Sequence, residues 1–173
     1  MSFFLCVVYL SVLGILSFFV GRLLPKRWFH ADAFPFRAFS WEQDGRIYKK
    51  LFVHKWQNKV PDMSRILPHM MPPKNLSGNY RCRLPRMLQE TCVAECIHVL
   101  NCIVGLYCLK ILPGIGGMII TFLYIVLFNL PYILIQRYNR PRLQRLADRS
   151  SQAKNTEEGA CLHARATTQL QYR

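Results

Sequence analysis

The sequence predicts an all-α integral membrane protein, with about three membrane helices: one N-terminal, then an antiparallel hairpin. An interfacial amphipathic segment lies between them. Three observations carry this reading. The chain is 51% apolar, and the apolar residues fall into long runs. Its formal charge is +14, and nearly all the basic residues fall outside those runs, Lys110 being the exception inside one. The long runs are of bilayer length.

Ser2–Val20 is a nearly uncharged run ending at Gly21–Arg22. It lacks a basic leader and a small-x-small cleavage pattern, so it reads as a retained helix rather than a signal peptide. The stretch 28–82 reads as the interfacial segment. There Trp28, Trp41 and Trp56 sit among Arg and Lys, as aromatic residues do at headgroup level. Trp41–Trp56 places Ile47, Leu51 and Phe52 on one side of an amphipathic helix, although Gly45 weakens it. Val60-Pro-Asp reads as a stop, with Asp62 or Ser64 a candidate N-cap. Met70 to Asn79 reads as a loop.

The second membrane helix is expected over about 86–112 and the third over 114–138. Pro113-Gly-Ile-Gly-Gly makes the turn between them. Gly114–Ile135 alone would measure about 33 Å as a helix, enough to cross a bilayer. Arg140-Pro-Arg should end the membrane portion. Residues 1–146 form one membrane domain, and the polar tail 147–173 is expected to be disordered.

Charge fixes an expected orientation. Arg22–Arg86 holds 14 Lys and Arg, and Arg137–Arg173 holds eight. With three spans, the positive-inside rule puts both segments, the basic loop and the C-terminal tail, on the cytoplasmic side of the cell membrane. This topology also accounts for the net charge. Nucleic-acid binding is disfavoured because no recognised motif accompanies the basic residues. The seven cysteines include no CxxC pair and read as small apolar fillers, with no disulfide expected on the cytoplasmic side.

Two polar clusters interrupt the apolar helices. The first is Glu90, Glu95 and His98, which can face one cavity; Glu95 and His98 are three residues apart on a helix surface. The second is Asn129, Gln136, Arg137, Tyr138, Asn139, Arg140 and Arg142. Within it Gln136 and Arg140 each fall within about 20° of Asn129 around a helix. Counted from the helix ends, Glu95, His98 and Asn129 come to a similar depth below the headgroups. Polar groups at that depth are costly and usually face protein or a water-filled cavity.

The chemistry this arrangement favours is a His98 general base oriented by Glu95 or Glu90. Arg137 and Arg140 would grip a phosphate, carboxylate or oxyanion, and Asn129 and Gln136 would supply hydrogen bonds. The competing account is an interhelical salt bridge, Glu90 or Glu95 with Arg137, that only holds the hairpin together. No metal site is expected. Glu95-x-x-His98 is a single copy of a motif that di-iron bundles use twice, with further carboxylates. Glycine-rich phosphate loops, GxSxG and the His-x4-Asp acyltransferase signature are absent.

Several strings carry a resemblance: Phe39-Ser-Trp-Glu42 with Gly45, Lys55-Trp56, Glu90-Thr with Ala94-Glu95 and His98, and Asn129-x-Pro131. The strongest is Gln136-Arg-Tyr-Asn-Arg-Pro-Arg-Leu143. From about Arg22 to Leu146 the chain resembles the glycosyl-4,4'-diaponeurosporenoate acyltransferase family. It departs from the family pattern at Cys92, Cys96 and Val99. The resemblance implies transfer of a fatty acyl group to a sugar hydroxyl of a glycosylated lipid, carotenoid-like or other. It does not transfer the identity of that lipid, nor any catalytic residue.

The expected partners are membrane lipids and a glycosylated lipid acceptor. No tightly bound cofactor is expected, and an acyl thioester would be the co-substrate. Three helices are a thin wall for a closed site, which leaves room for a homo-oligomer. Two other classes compete: a non-catalytic lipid-binding module, and a different membrane-lipid transferase such as a methyltransferase.

Overall fold

A computed structural model describes residues 1–60 and 83–171, from residue 154 onward as backbone. The described residues form helices and loops without strands, and three helical stretches are long and apolar enough to cross a membrane. Asp62, Ser64 and the loop from Met70 to Asn79 lie outside the described residues.

Helix α1 (Ser2–Leu23) is apolar all round and buries one narrow stripe, Cys6, Leu10 and Ser17, at helical spacing. Two hydrogen bonds tie that stripe to the next long helix: Tyr9 Oη donates to the carbonyl of Val104 at 2.8 Å, and Ser17 Oγ to Asn101 Oδ1 at 2.5 Å. Pro25 forces Leu24 into an extended conformation and ends α1.

Between the membrane helices the chain makes a tight basket instead of the amphipathic helix expected over Trp41–Trp56. A 3-10 turn, Ser40–Gly45, is followed by α2 (Arg46–Lys50) and α3 (Val53–Trp56). Gln43, Asp44 and Gly45 all have positive φ, and so does Phe52, so a continuous helix is broken twice. Packing is the reason. A Cβ on Gly45 would lie 3.4 Å from the Tyr138 carbonyl and 3.6 Å from Pro141 Cγ. The basket therefore docks directly onto the last helix, where Tyr48, Val53 and Tyr138 form a small core. Trp56 packs against this core and donates its indole N–H to the Leu51 carbonyl.

Helix α4 (Leu84–Gly105) starts with a proline in its first turn, where the missing N–H costs nothing. It stops earlier than the sequence indicates, and a short α5 (Cys108–Ile111) follows after an offset. A Cβ on Gly105 would lie 2.9 Å from the Tyr124 ring, so glycine here lets the two arms of the hairpin approach. The hairpin turns at Gly114, with φ of 93°, and returns as α6 (Ile115–Leu123).

A single π-helical turn, Tyr124–Asn129, then leads into α7 (Leu130–Gln171). The expected end near residue 138 does not occur, because α7 runs through Pro141. The proline withdraws an N–H from the Arg137 carbonyl, and Gly45 packs beside that carbonyl. Beyond it, Arg142 to Glu158 contains neither glycine nor proline, and the backbone stays helical where the sequence reading expects an unstructured tail.

Cys6 and Cys108 are joined by a disulfide with Cα atoms 5.7 Å apart, so these two are not the apolar fillers the sequence reading makes of them. The bond lies near the N-terminal end of α1, away from Arg22 and the basic segment after it. Cys92, Cys96 and Cys102 remain free thiols.

Candidate functional site

Two polar centres lie along the α4–α7 pairing, and they differ in kind. The first is a closed ionic cluster. Glu95 on α4 accepts from Arg137 Nε at 2.7 Å and from an Arg140 terminal nitrogen at 2.5 Å. The basket contributes Glu42, which accepts from Arg137 Nη1 at 2.8 Å, from the Tyr48 hydroxyl at 2.5 Å and from the Phe39 amide at 2.9 Å.

The remaining guanidinium nitrogens are also bonded. Arg137 reaches the Pro35 carbonyl at 2.9 Å, and Arg140 reaches Thr91 Oγ1, the Thr91 carbonyl and the Phe36 carbonyl at 3.0, 3.1 and 2.7 Å. Phe39 and Phe36 lie under the two guanidiniums at 4.8 and 5.5 Å. The side chains of Glu42, Glu95 and Arg140 are at most 5% exposed. Two carboxylates balance two guanidiniums, so the cluster is formally neutral, and every guanidinium nitrogen has a partner, which offsets the cost of desolvation. Burial, and then the hydrogen bond to Glu42, push the pKa of the Tyr48 hydroxyl upward.

The second centre carries no ion pair. His98 Nδ1 lies 3.1 Å from Asn129 Oδ1, and Asn129 Nδ2 donates to the Tyr124 carbonyl at 3.1 Å. That carbonyl can only accept, so the amide nitrogen must face it and the amide oxygen must face His98. His98 therefore donates from Nδ1; in the neutral imidazole this leaves the lone pair on Nε2, which meets no donor among the described residues. The π-helical turn sets this up, because it brings the Asn129 side chain back onto the carbonyl five residues earlier, and π turns often mark functional positions. Asn129 is 1% exposed. The Tyr132 ring stacks on the imidazole with centroids 4.6 Å apart and planes 7° apart, fixing its tilt.

A cavity of about 620 Å3 lies alongside both centres. Tyr132 lines it and touches His98, while Thr91 lines it and touches Arg140. Gln136, Asn139 and Arg142 continue the wall along α7.

The residues expected to form one site are thus sorted into separate groups. His98 and Asn129 meet, as their counted depth implies. Glu95 pairs with Arg137 and Arg140 instead of turning toward the imidazole. Glu90 stands apart, with Lys26 at 2.5 Å and Arg86 at 3.3 Å. Gln136, Asn139 and Arg142 face the cavity, and Tyr138 is core, with the Arg142 guanidinium over its ring at 4.4 Å.

Sequence reasoning passes over Glu42, Thr91 and Tyr132. Tyr132 was legible, being three residues from Asn129 and four from Gln136 on one helix face. Nothing in the spacing pairs Glu42 with Arg137, 95 residues away.

Three apolar helices around a buried polar centre, with a cavity beside it, define a helical membrane protein with a site at the open end of its hairpin. A family model described as glycosyl-4,4'-diaponeurosporenoate acyltransferase matches residues 25–149. Proteins of that name from Staphylococcus aureus strains N315 and USA300 are each 28% identical over 151 residues, covering 83% of this chain and 86% of the relative. No solved structure matches. The chain belongs to the glycosyl-4,4'-diaponeurosporenoate acyltransferase family. The matched span contains every polar residue of both centres.

Proposed function

We propose that this protein transfers a fatty acyl group from a thioester to a sugar hydroxyl of a glycosylated lipid, with His98 as general base. The observation that carries this reading is the His98–Asn129 pair. In the neutral imidazole its outer nitrogen has a lone pair with no partner among the described residues, and the Tyr132 ring links it to a cavity of about 620 Å3.

In the reaction, His98 Nε2 takes the proton of the sugar hydroxyl as its oxygen attacks the thioester carbonyl. The C–S bond then breaks, and the proton passes to the leaving thiolate, giving an ester and a free thiol. Asn129 accepts from Nδ1–H throughout, so it stabilises the imidazolium and holds the productive tautomer. Gln136 and Asn139 offer amide groups to whatever substrate occupies the cavity. Glu95, Arg137, Arg140 and Glu42 are positioning residues: they pin the basket to the hairpin and so fix the cavity wall.

The basic segments face the cytoplasm in this reading, and the hairpin turn faces outward. The Cys6–Cys108 disulfide supports that orientation, since it lies at the end where oxidising conditions would preserve it.

Lipid mass spectrometry of cells lacking the protein, rescued by wild type or by His98→Ala, tests the proposal. An acylated glycolipid should return with wild type and stay absent with His98→Ala at equal protein level. Return of the same lipid with both would remove His98 from the mechanism. No acylated glycolipid with either would remove the activity itself.

A further inference from the structure

We infer that the acyl donor is a thioester of phosphopantetheine, and that Arg142 and Arg149 hold its phosphate at the outer end of the cavity. This rests on the acyl-transfer reading and extends it to the donor.

The cavity wall changes character along α7. Next to His98 it is Tyr132, the middle carries the amides Gln136 and Asn139, and the far end carries Arg142, Arg145 and Arg149. These three arginines differ from Arg137 and Arg140 on the same helix. Arg137 and Arg140 are each paired with buried carboxylates, whereas none of the outer three forms an ion pair among the described residues. Arg145 donates to the carbonyls of Pro141 and Asp44, which leaves its charge uncompensated. Arg142 lies over the Tyr138 ring, which holds it in place without neutralising it. An unpaired guanidinium group at a cavity mouth is a site for an oxyanion, and phosphate and carboxylate are the oxyanions that guanidinium geometry fits.

The spacing selects the kind of phosphate. At 1.5 Å per residue, Arg142 lies about 15 Å from Tyr132 along the helix, and Arg149 about 25 Å. A phosphate that far from the reacting carbonyl excludes an acyl phosphate, in which the two are bonded directly. It fits a carrier in which an extended arm separates thioester from phosphate. The pantetheine arm contains two amide groups, and the polar wall between the two ends, with Gln57 opposite, offers amide donors and acceptors along its course.

Coenzyme A and an acyl carrier protein both present this group, and an anionic lipid headgroup or free phosphate is the competing ligand. The test uses the full chain in neutral phosphatidylcholine nanodiscs, measuring equilibrium binding of coenzyme A, phosphopantetheine, pantetheine and inorganic phosphate. Coenzyme A and phosphopantetheine should bind, and both pantetheine and inorganic phosphate should bind roughly tenfold or more weakly. Arg142→Gln/Arg149→Gln should lose about the same factor for coenzyme A, leave pantetheine unchanged and unfold at the wild-type temperature. Arg145 is kept because it also anchors the basket.

Binding of a phosphopantetheinylated carrier protein but not its unmodified form, with no gain for coenzyme A over phosphopantetheine, would assign the source to the carrier. Equal binding of pantetheine and coenzyme A would overturn the inference, as would unchanged coenzyme A binding by the double variant. So would inorganic phosphate binding as tightly as coenzyme A, or displacement of coenzyme A by anionic lipid in the disc. The same binding measured on His98→Ala separates this proposal from the catalytic one. Donor binding that follows the arginines while His98→Ala still restores the lipid leaves the donor site standing and removes the base. The reverse pattern does the opposite.

Discussion

The ionic cluster of Glu42, Glu95, Arg137 and Arg140 and the His98–Asn129 pair sit on the same two helices, within a few turns of each other. In the cluster every guanidinium nitrogen is occupied, both carboxylates are shared, and the charges cancel. In the pair one ring nitrogen is held and the other is left over. The contrast separates holding from reacting: a group whose bonding capacity is spent can fix a shape, whereas a base needs a free lone pair. Charge density alone would point to the arginines. Satisfaction of hydrogen bonds points to the histidine.

Breaking the cluster should give the largest effect. Glu95→Ala leaves the buried Arg140 guanidinium without a carboxylate, at a cost of about 3–5 kcal/mol. Thermal unfolding in detergent should show a large drop in midpoint and little folded protein. An unchanged midpoint would mean that the cluster does not hold the basket. The double variant Glu95→Gln/Arg140→Gln removes both charges together and should recover part of that loss.

Breaking the pair should do the reverse. His98→Ala is expected to lower the acyl-transfer rate by about 10²–10⁴-fold while its unfolding midpoint stays within a few degrees of wild type. If rate and midpoint fell in proportion, His98 would belong with the cluster. Asn129→Asp keeps an acceptor for Nδ1–H and should retain far more activity than Asn129→Ala. The Ala variant frees the tautomer and should lose on the order of tenfold or more. The ratio of the two rates reads the positioning effect directly.

Two smaller effects sharpen the boundary between the centres. Gly45→Ala puts a side chain on a left-handed residue packed against α7 and should cost about 1 kcal/mol or more, read as a lower midpoint. Tyr48→Phe removes the hydroxyl bonded to Glu42 and should cost about 1 kcal/mol near neutral pH. Because the Tyr48 pKa is raised in the fold, its contribution is complete below its ordinary value of about 10 and fades as pH climbs above that. Wild type and Tyr48→Phe should therefore converge in stability above about pH 10. A gap constant with pH would show that the phenol does not titrate against Glu42.

Much of this was legible in the residues. Apolar run lengths give three membrane helices, Pro113-Gly gives the hairpin, and counting residues from the helix ends brings His98 level with Asn129. The same counting brings Glu95 to a similar depth, but depth does not say which way a side chain turns. Glu95 lies three residues before His98, about 60° away around the helix, and that rotation carries it to Arg137 and Arg140. The disulfide was hidden for another reason: Cys6 and Cys108 meet only because α1 packs along α4 and α5.

Local chemistry was thus enough to determine what is periodic or additive along the chain: the number of apolar helices, membrane class, charge asymmetry and the place of each polar group along its helix. These depend on neighbours a few residues away, or on composition. Partner choice was left to the tertiary structure. Glu42 reaches Arg137 because Gly45 lets the basket touch α7. Asn129 reaches His98 because a π turn rotates it there. Each of these contacts depends on an ångström-scale approach between segments distant in sequence, which no local pattern records.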